Sequence, residues 1–182
     1  MYLISAYFDE NTNKILKHLQ QRISDKTGND FMIRNNVMPH LTLSSIEARN
    51  VDVLIPAFEK VCRGKLQPLE EKSVANNTIN IVSVGQLFPR VIKAAPVLNV
   101  YMMTLAISIY NEFATIPETN ISKFYQPYSW MPHITLGKCL DKEQMRQAFA
   151  VLQDLFMPID GRITKIGLST VNPYREVMSV AL

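Results

Sequence analysis

The sequence predicts an α+β protein, with two pseudo-symmetric lobes of antiparallel sheet and flanking helices around a central cleft. Three observations predict it. The phrase Met38-Pro39-His40-Leu41-Thr42-Leu43 returns as Met131-Pro132-His133-Ile134-Thr135-Leu136, with a single Leu/Ile exchange. Each copy is followed by a stretch with helical spacing and then by strand-like stretches, so the halves share one order of elements. Strand signals separated by turn signals over residues 66–95 read as an antiparallel meander. Two copies are too few for a solenoid, and no Pro/Gly/Ser-rich linker separates them, so residues 1–182 are taken as one bilobal domain.

Residues 2–8, YLISAYF, are rich in β-formers and end at an Asp-Glu-Asn-Thr-Asn cluster, which marks a strand and then a helix start. From Asn13 to about Lys26, Ile15, Leu16, Leu19 and Ile23 follow helical spacing, and the stretch DKTGND ends the helix. Residues 38–46 alternate as a strand. Val53, Leu54, Ala57, Phe58 and Val61 fall on one face of a second helix, with Gly64 placed as its terminating glycine. The meander comprises LQPLEEKSV, NNTINIVSVGQLF and RVIKAA, with a turn at Asn76-Asn77. Residues 97–114 form a well-buried helix, and ATIPETNISKFYQPYSW, with two prolines and no period, is a long loop. Residues 133–138 repeat the strand. Met145, Phe149, Leu152 and Phe156 mark a helix capped by Asp141. GRITKIGLST and REVMSVAL supply two final strands.

With 47% hydrophobic residues the chain can build a packed core. The longest apolar stretch, Val97–Ile109, is interrupted by Asn99, Thr104 and Ser108 and is too short and polar to span a bilayer. The N-terminus lacks a basic region and meets an acid at Asp9, unlike a secretion signal. A soluble cytoplasmic protein, monomeric and without a membrane partner, is expected. The net charge of +3 permits a polyanionic partner without demanding one. Cys62 and Cys139 have no metal-type spacing and are expected as free thiols.

The chemistry lies in the repeated phrase. Side chains alternate along a strand, so His40 and Thr42 share one face while Leu41 and Leu43 share the other. His133 and Thr135 stand likewise against Ile134 and Leu136. Each phrase is half core and half polar site. If the two polar faces meet, two imidazoles and two hydroxyls converge. With ordinary pKa values near ~6.5, one imidazole can accept a proton while the other donates one. That suits displacement at phosphorus, where a nucleophile loses a proton and a leaving oxygen gains one. The threonine hydroxyls can donate to phosphate oxygens. A metal is not expected, because neither phrase has a third ligand at motif spacing; Glu47 and Asp141 are the nearest acids. His18 is expected on a solvated helix face. Tyr125, Tyr128 and Trp130 lie just upstream of His133; the two tyrosines are candidates to stack a base, and Trp130 is assigned to the core. Tyr7, on the first strand, could also reach the cleft and is assigned to the core. Lys138, Arg34 and Lys93 are candidate basic contacts, each expected as a surface charge.

The tetrapeptides HLTL at 40–43 and HITL at 133–136 resemble the paired motifs of the 2H phosphoesterase superfamily. The chain resembles more narrowly its 2′-5′ RNA ligase-like, or RNA 2′,3′-cyclic phosphodiesterase, branch. The resemblance implies a bilobal α+β fold and cofactor-free chemistry on 2′,3′-cyclic phosphates of RNA ends or small nucleotides, or on 2′-5′ linkages, with reverse ligation. It implies His40 and His133 as the catalytic pair, with His133 activating water and His40 protonating the leaving ribose oxygen. Thr42 and Thr135 would bind phosphate, with Tyr125, Tyr128 and Lys138 as further substrate contacts. Relatives often carry a basic residue shortly after the second motif. Here Gly137-Lys138 follows, and a regular strand turns Gly137 toward the site. The alternative is a non-catalytic nucleotide- or RNA-end-binding module on the same fold.

Overall fold

The computed structural model describes residues 1–65, 77–171 and 173–182. Among these, eight strands and five α-helices form a mixed α+β fold around one antiparallel sheet. The elements are β1 (Tyr2–Phe8), α1 (Glu10–Thr27), α2 (Phe31–Arg34), β2 (Leu41–Glu47), α3 (Ile55–Lys65), β3 (Thr78–Leu87), β4 (Val91–Pro96), α4 (Val100–Phe113), β5 (Asn120–Ile121), β6 (Ile134–Lys138), α5 (Lys142–Leu155), β7 (Ile159–Val171) and β8 (Tyr174–Ala181).

Two copies of one sequence of elements are visible: β1-α1-β2-α3-β3, then β4-α4-β6-α5-β7. Each first strand enters its helix through a side-chain cap. Asp9 accepts the N–H of Thr12 at 2.9 Å, and Asn99 accepts that of Met102 at 2.9 Å. The Asp9 cap starts α1 three residues before Asn13, and Gly28, at φ 67°, ends it. Asp141 caps α5 with Gln144 in a reciprocal capping box.

The strands are ordered β2–β1–β7 in one half and β6–β4–β3 in the other. The closing strand of each copy therefore lies in the sheet of the other half. The halves meet twice. Thr78–Ile81 of β3 pair with Ile159–Arg162 of β7, and Leu41 of β2 pairs with Ile134 of β6. These pairings close a circuit of six strands, and β8 extends the first half from the outer edge of β7. α1 packs against α5 and β6, while α4 packs against α3 and β2, so one helix pair covers the back of each half. Ile4, Ala6, Leu41 and Leu43 of the first half, and Ile92, Ala94, Ile134 and Leu136 of the second, are buried. The opposite strand faces are left to line a cleft.

Three local expectations are corrected. Gly64 lies inside α3 rather than beyond it, and Val53 precedes the helix and is 44% exposed, leaving Leu54, Phe58, Val61 and Cys62 as the buried face. The stretch expected as a plain loop contains β5, which pairs with Ile46 and Glu47, and a single 3-10 turn at Lys123–Tyr125. The repeated strands begin at Leu41 and Ile134, one residue after each histidine, because Pro39 and Pro132 have no N–H to pair. The expected strand over 66–74 and the turn residue Asn76 lie outside the described residues. No described helix is long and apolar enough to cross a membrane.

Candidate active site

The two repeated phrases cross each other. β2 and β6 are antiparallel and share one paired position, Leu41 with Ile134, which is the residue at which the phrases differ. Antiparallel register through that pair sets His40 level with Thr135 and Thr42 level with His133. The side chains flanking Leu41 and Ile134 lie on the face away from the helices, since both of these residues are fully buried beneath them. His40 and His133 are close enough that the charge of one opposes protonation of the other. The strands splay beyond the single pair, and the threonine carbonyls take side-chain donors from elsewhere. Trp130 Nε1 donates to Thr42 O at 3.0 Å, and Gln20 Nε2 donates to Thr135 O at 3.2 Å.

The histidines are held alike. His40 Nδ1 lies 2.7 Å from Met38 O, and His133 Nδ1 lies 2.9 Å from Met131 O. A carbonyl accepts only, so each Nδ1 carries the hydrogen and each neutral ring keeps its lone pair on Nε2. The Met-Pro-His turn thus fixes tautomer and ring orientation together. Burial lowers both imidazole pKa values below the ordinary value, and the bond to the carbonyl partly offsets this. The charges of His133 and Lys138 lower His40 further, and that of Lys93 lowers His133.

Around this pair the other expected residues fall differently. The phenol of Tyr125 lies beside the Thr42 side chain, and burial raises its pKa. Tyr128, 89% exposed with φ 66°, stands out in solvent. Trp130 is buried, as its core assignment anticipates. His18 is exposed. Arg34 is exposed beside Asp30.

Lys138 requires a correction to strand parity. A bulge between Ile92 and Lys93 shifts the β4–β6 register, so that a Cβ on Gly137 would meet Ile92 at 3.1 Å and Leu140 at 3.3 Å. Gly137 therefore faces the core. Lys138 takes the other side, with its ammonium 5.7 Å from the centre of the Phe31 ring.

Two further residues lie beside the pair. Tyr7 is buried, but its ring lies 6.2 Å from that of His40, and its hydroxyl bonds with that of Tyr174 at 2.9 Å. Burial and that bond keep the phenol protonated. Lys165 lies over the Tyr7 ring and pairs with Glu176 at 2.8 Å. Lys93 is only 9% exposed rather than a surface charge, and it stands opposite Thr135 on β4. The repeat itself carried the signal: Ser5 faces Thr42 and Gly167 in one half, and Lys93 faces Thr135 and Gly85 in the other.

The cysteines are elsewhere in role. Both are free, Cys62 is buried, and burial with nearby Glu59 pushes its thiol up to about 11, far from a nucleophilic thiolate at neutral pH. Among the described residues no group of three or more His, Cys, Asp or Glu side chains is placed to hold a metal ion.

Comparison with known proteins adds little to this geometry. No family model matches the sequence, and no curated protein matches it significantly. Among solved structures the chain is similar to Usb1 of Kluyveromyces marxianus, over 100% of this chain and 97% of that one, at 13% identity and a TM-score of 0.48. At that distance the likeness says nothing of the chemistry.

Proposed function

We propose that the protein is a phosphodiesterase of the 2H type, opening 2′,3′-cyclic phosphates at RNA ends or in small nucleotides by acid–base catalysis between His40 and His133. The observation that carries the reading is the antiparallel crossing at Leu41 and Ile134, which gathers two imidazoles with free Nε2 atoms and two threonine hydroxyls on one cleft face.

In this reading His133 Nε2 takes a proton from water, whose oxygen attacks phosphorus. The bond from phosphorus to one ribose oxygen breaks, and His40 Nε2–H returns a proton to that oxygen. Each half of this exchange contributes roughly 10²–10⁴-fold. The charge of Lys93 opposes protonation of His133, as the base role needs, and burial opposes that of both rings. Lys138 opposes protonation of His40 too, but its exposed charge is screened by water. Thr42 and Thr135 donate to the non-bridging oxygens. Run backwards with a ribose hydroxyl in place of water, the same groups would join ends through a 2′-5′ bond.

The test is turnover, in EDTA, of an oligonucleotide ending in a 2′,3′-cyclic phosphate and of nucleoside 2′,3′-cyclic phosphates, with 2′- and 3′-phosphate products resolved. His40→Ala and His133→Ala are each expected to lose roughly 10²–10⁴-fold in kcat while remaining folded. Undiminished turnover in either variant would sink the mechanism. A second reading, a nucleotide- or RNA-end-binding module without turnover, is favoured by the burial of both imidazoles, which disfavours the protonated form that a proton donor needs. It predicts saturable binding of a nucleoside 2′-phosphate with no product from any cyclic phosphate.

A further inference from the structure

We propose that Lys93 is a direct ligand of the substrate phosphate, and that it gives the cleft a single cationic wall on the His133 side. The assignment rests on the cleft being a phosphodiester site.

Four observations carry it. The side chain is only 9% exposed, an unusual burial for a lysine. Among the described residues its ammonium has one hydrogen-bond partner, the thioether sulfur of Met131 at 3.3 Å, and no carboxylate pairs with it. A thioether is a weak acceptor, so an ammonium held there lacks a strong partner that an anion could supply. The chain crosses β3 over Gly85, so the neighbouring strand lays no side chain over it, and even a Cβ there would make only ordinary contact with Lys93 Cε at 3.6 Å. Finally, Lys93 lies directly across from Thr135, on the face where Thr135 and His133 stand.

The other half shows what a cation of structural purpose looks like in this cleft. Lys165, across from Tyr7, is neutralised by Glu176 at 2.8 Å and lies 4.6 Å from the centre of the Tyr7 ring. The position equivalent to Lys93 is Ser5, buried and uncharged. Met131, 54% exposed, is the removable cover: displacing its flexible side chain opens the ammonium to the cleft. Burial lowers the pKa of Lys93, and a bound phosphate would restore it.

The experiment titrates inorganic phosphate into the protein at fixed pH and ionic strength, following the imidazole Cε1–H signals of His40 and His133 by NMR. Wild type is expected to show saturable shifts in both rings. Lys93→Met should weaken binding about tenfold or more, the effect of losing one charge-assisted contact, and Lys93→Arg should recover part of it. Lys165→Met removes the same charge from the cleft and should change the affinity less than about threefold, since Glu176 already neutralises it. Phosphate binding equal to wild type in Lys93→Met, no binding in wild type, or equal losses in the two methionine variants would each overturn the assignment. The readout does not need turnover. A Lys93-dependent phosphate site in a protein that opens no cyclic phosphate would support the ligand role while removing the hydrolase reading.

Discussion

The two halves of the cleft share a backbone and differ in charge. Each presents a histidine pinned through Nδ1 to the carbonyl two residues before it, a threonine two residues after it, and a strand neighbour facing a glycine. On the His40 side the neighbours are Ser5 and Tyr7, with a cation already paired to Glu176. On the His133 side the neighbours are Lys93 and Ala95, and the cation has no carboxylate among the described residues. A symmetric frame can gather two equivalent imidazoles, but hydrolysis needs unequal ones, one giving and one taking a proton. The side chains of β1 and β4 supply that inequality.

The comparison can be broken most severely at the histidines. His40→Ala and His133→Ala should cost similar large factors, and the double variant little more than either, because the two act in one step. Additive losses measured by single-turnover kinetics would mean that the residues act separately. Next come the threonines. Thr42→Val and Thr135→Val each remove a hydrogen bond to a charged oxygen, about 1.5–3 kcal/mol or roughly 10–100-fold in kcat/KM. The Thr42 variant should lose more, because among the described residues its half has no buried, unpaired cation to hold the phosphate. Equal losses would remove the functional meaning of the asymmetry.

The pH dependence follows with a definite sign. Rate rises as the base loses its proton and falls as the acid loses its own. Both pKa values are lowered in the free protein, so kcat/KM should peak on the acid side of ~6.5. An anionic substrate favours both imidazolium forms, so the kcat profile should lie at higher pH than that of kcat/KM. A peak in kcat/KM above pH ~7 would contradict the burial of the pair. The smallest effect separates the glycines. A Cβ on Gly167 would come to 3.0 Å from the Tyr7 ring, whereas on Gly85 it makes ordinary contact with Lys93. Gly167→Ala should cost about 1–2 kcal/mol by thermal unfolding, and Gly85→Ala less than about 0.5 kcal/mol.

Much of this architecture is written locally. Period-two alternation sorts Leu41 from His40 and Thr42 without any tertiary knowledge, and the caps at Asp141 and Gly28 are spelled in a few residues. What escaped the sequence depends on partners far along the chain. Lys93 is covered by Met131, 38 residues away, and Tyr7 is brought to His40 by the pairing of β1 with β2. The bulge that turns Gly137 inward arises between two strands and reverses a parity that either strand alone would predict. β5 has two residues, too few for any period to show. Asp9 was hidden as a cap because Asn11, Thr12 and Asn13 offer equally good caps just after it.

The exchange of closing strands has a consequence for how the chain holds together. With β3 in the second half's sheet and β7 against β1, neither repeat contains its own third strand. A lone repeat would expose a bare sheet edge and could mend it only by trading strands with a twin. The molecule is therefore arranged as an interlocked pair threaded on one chain. Severing the short β3–β4 connection should leave two fragments that stay clasped, with the cleft still assembled at their seam.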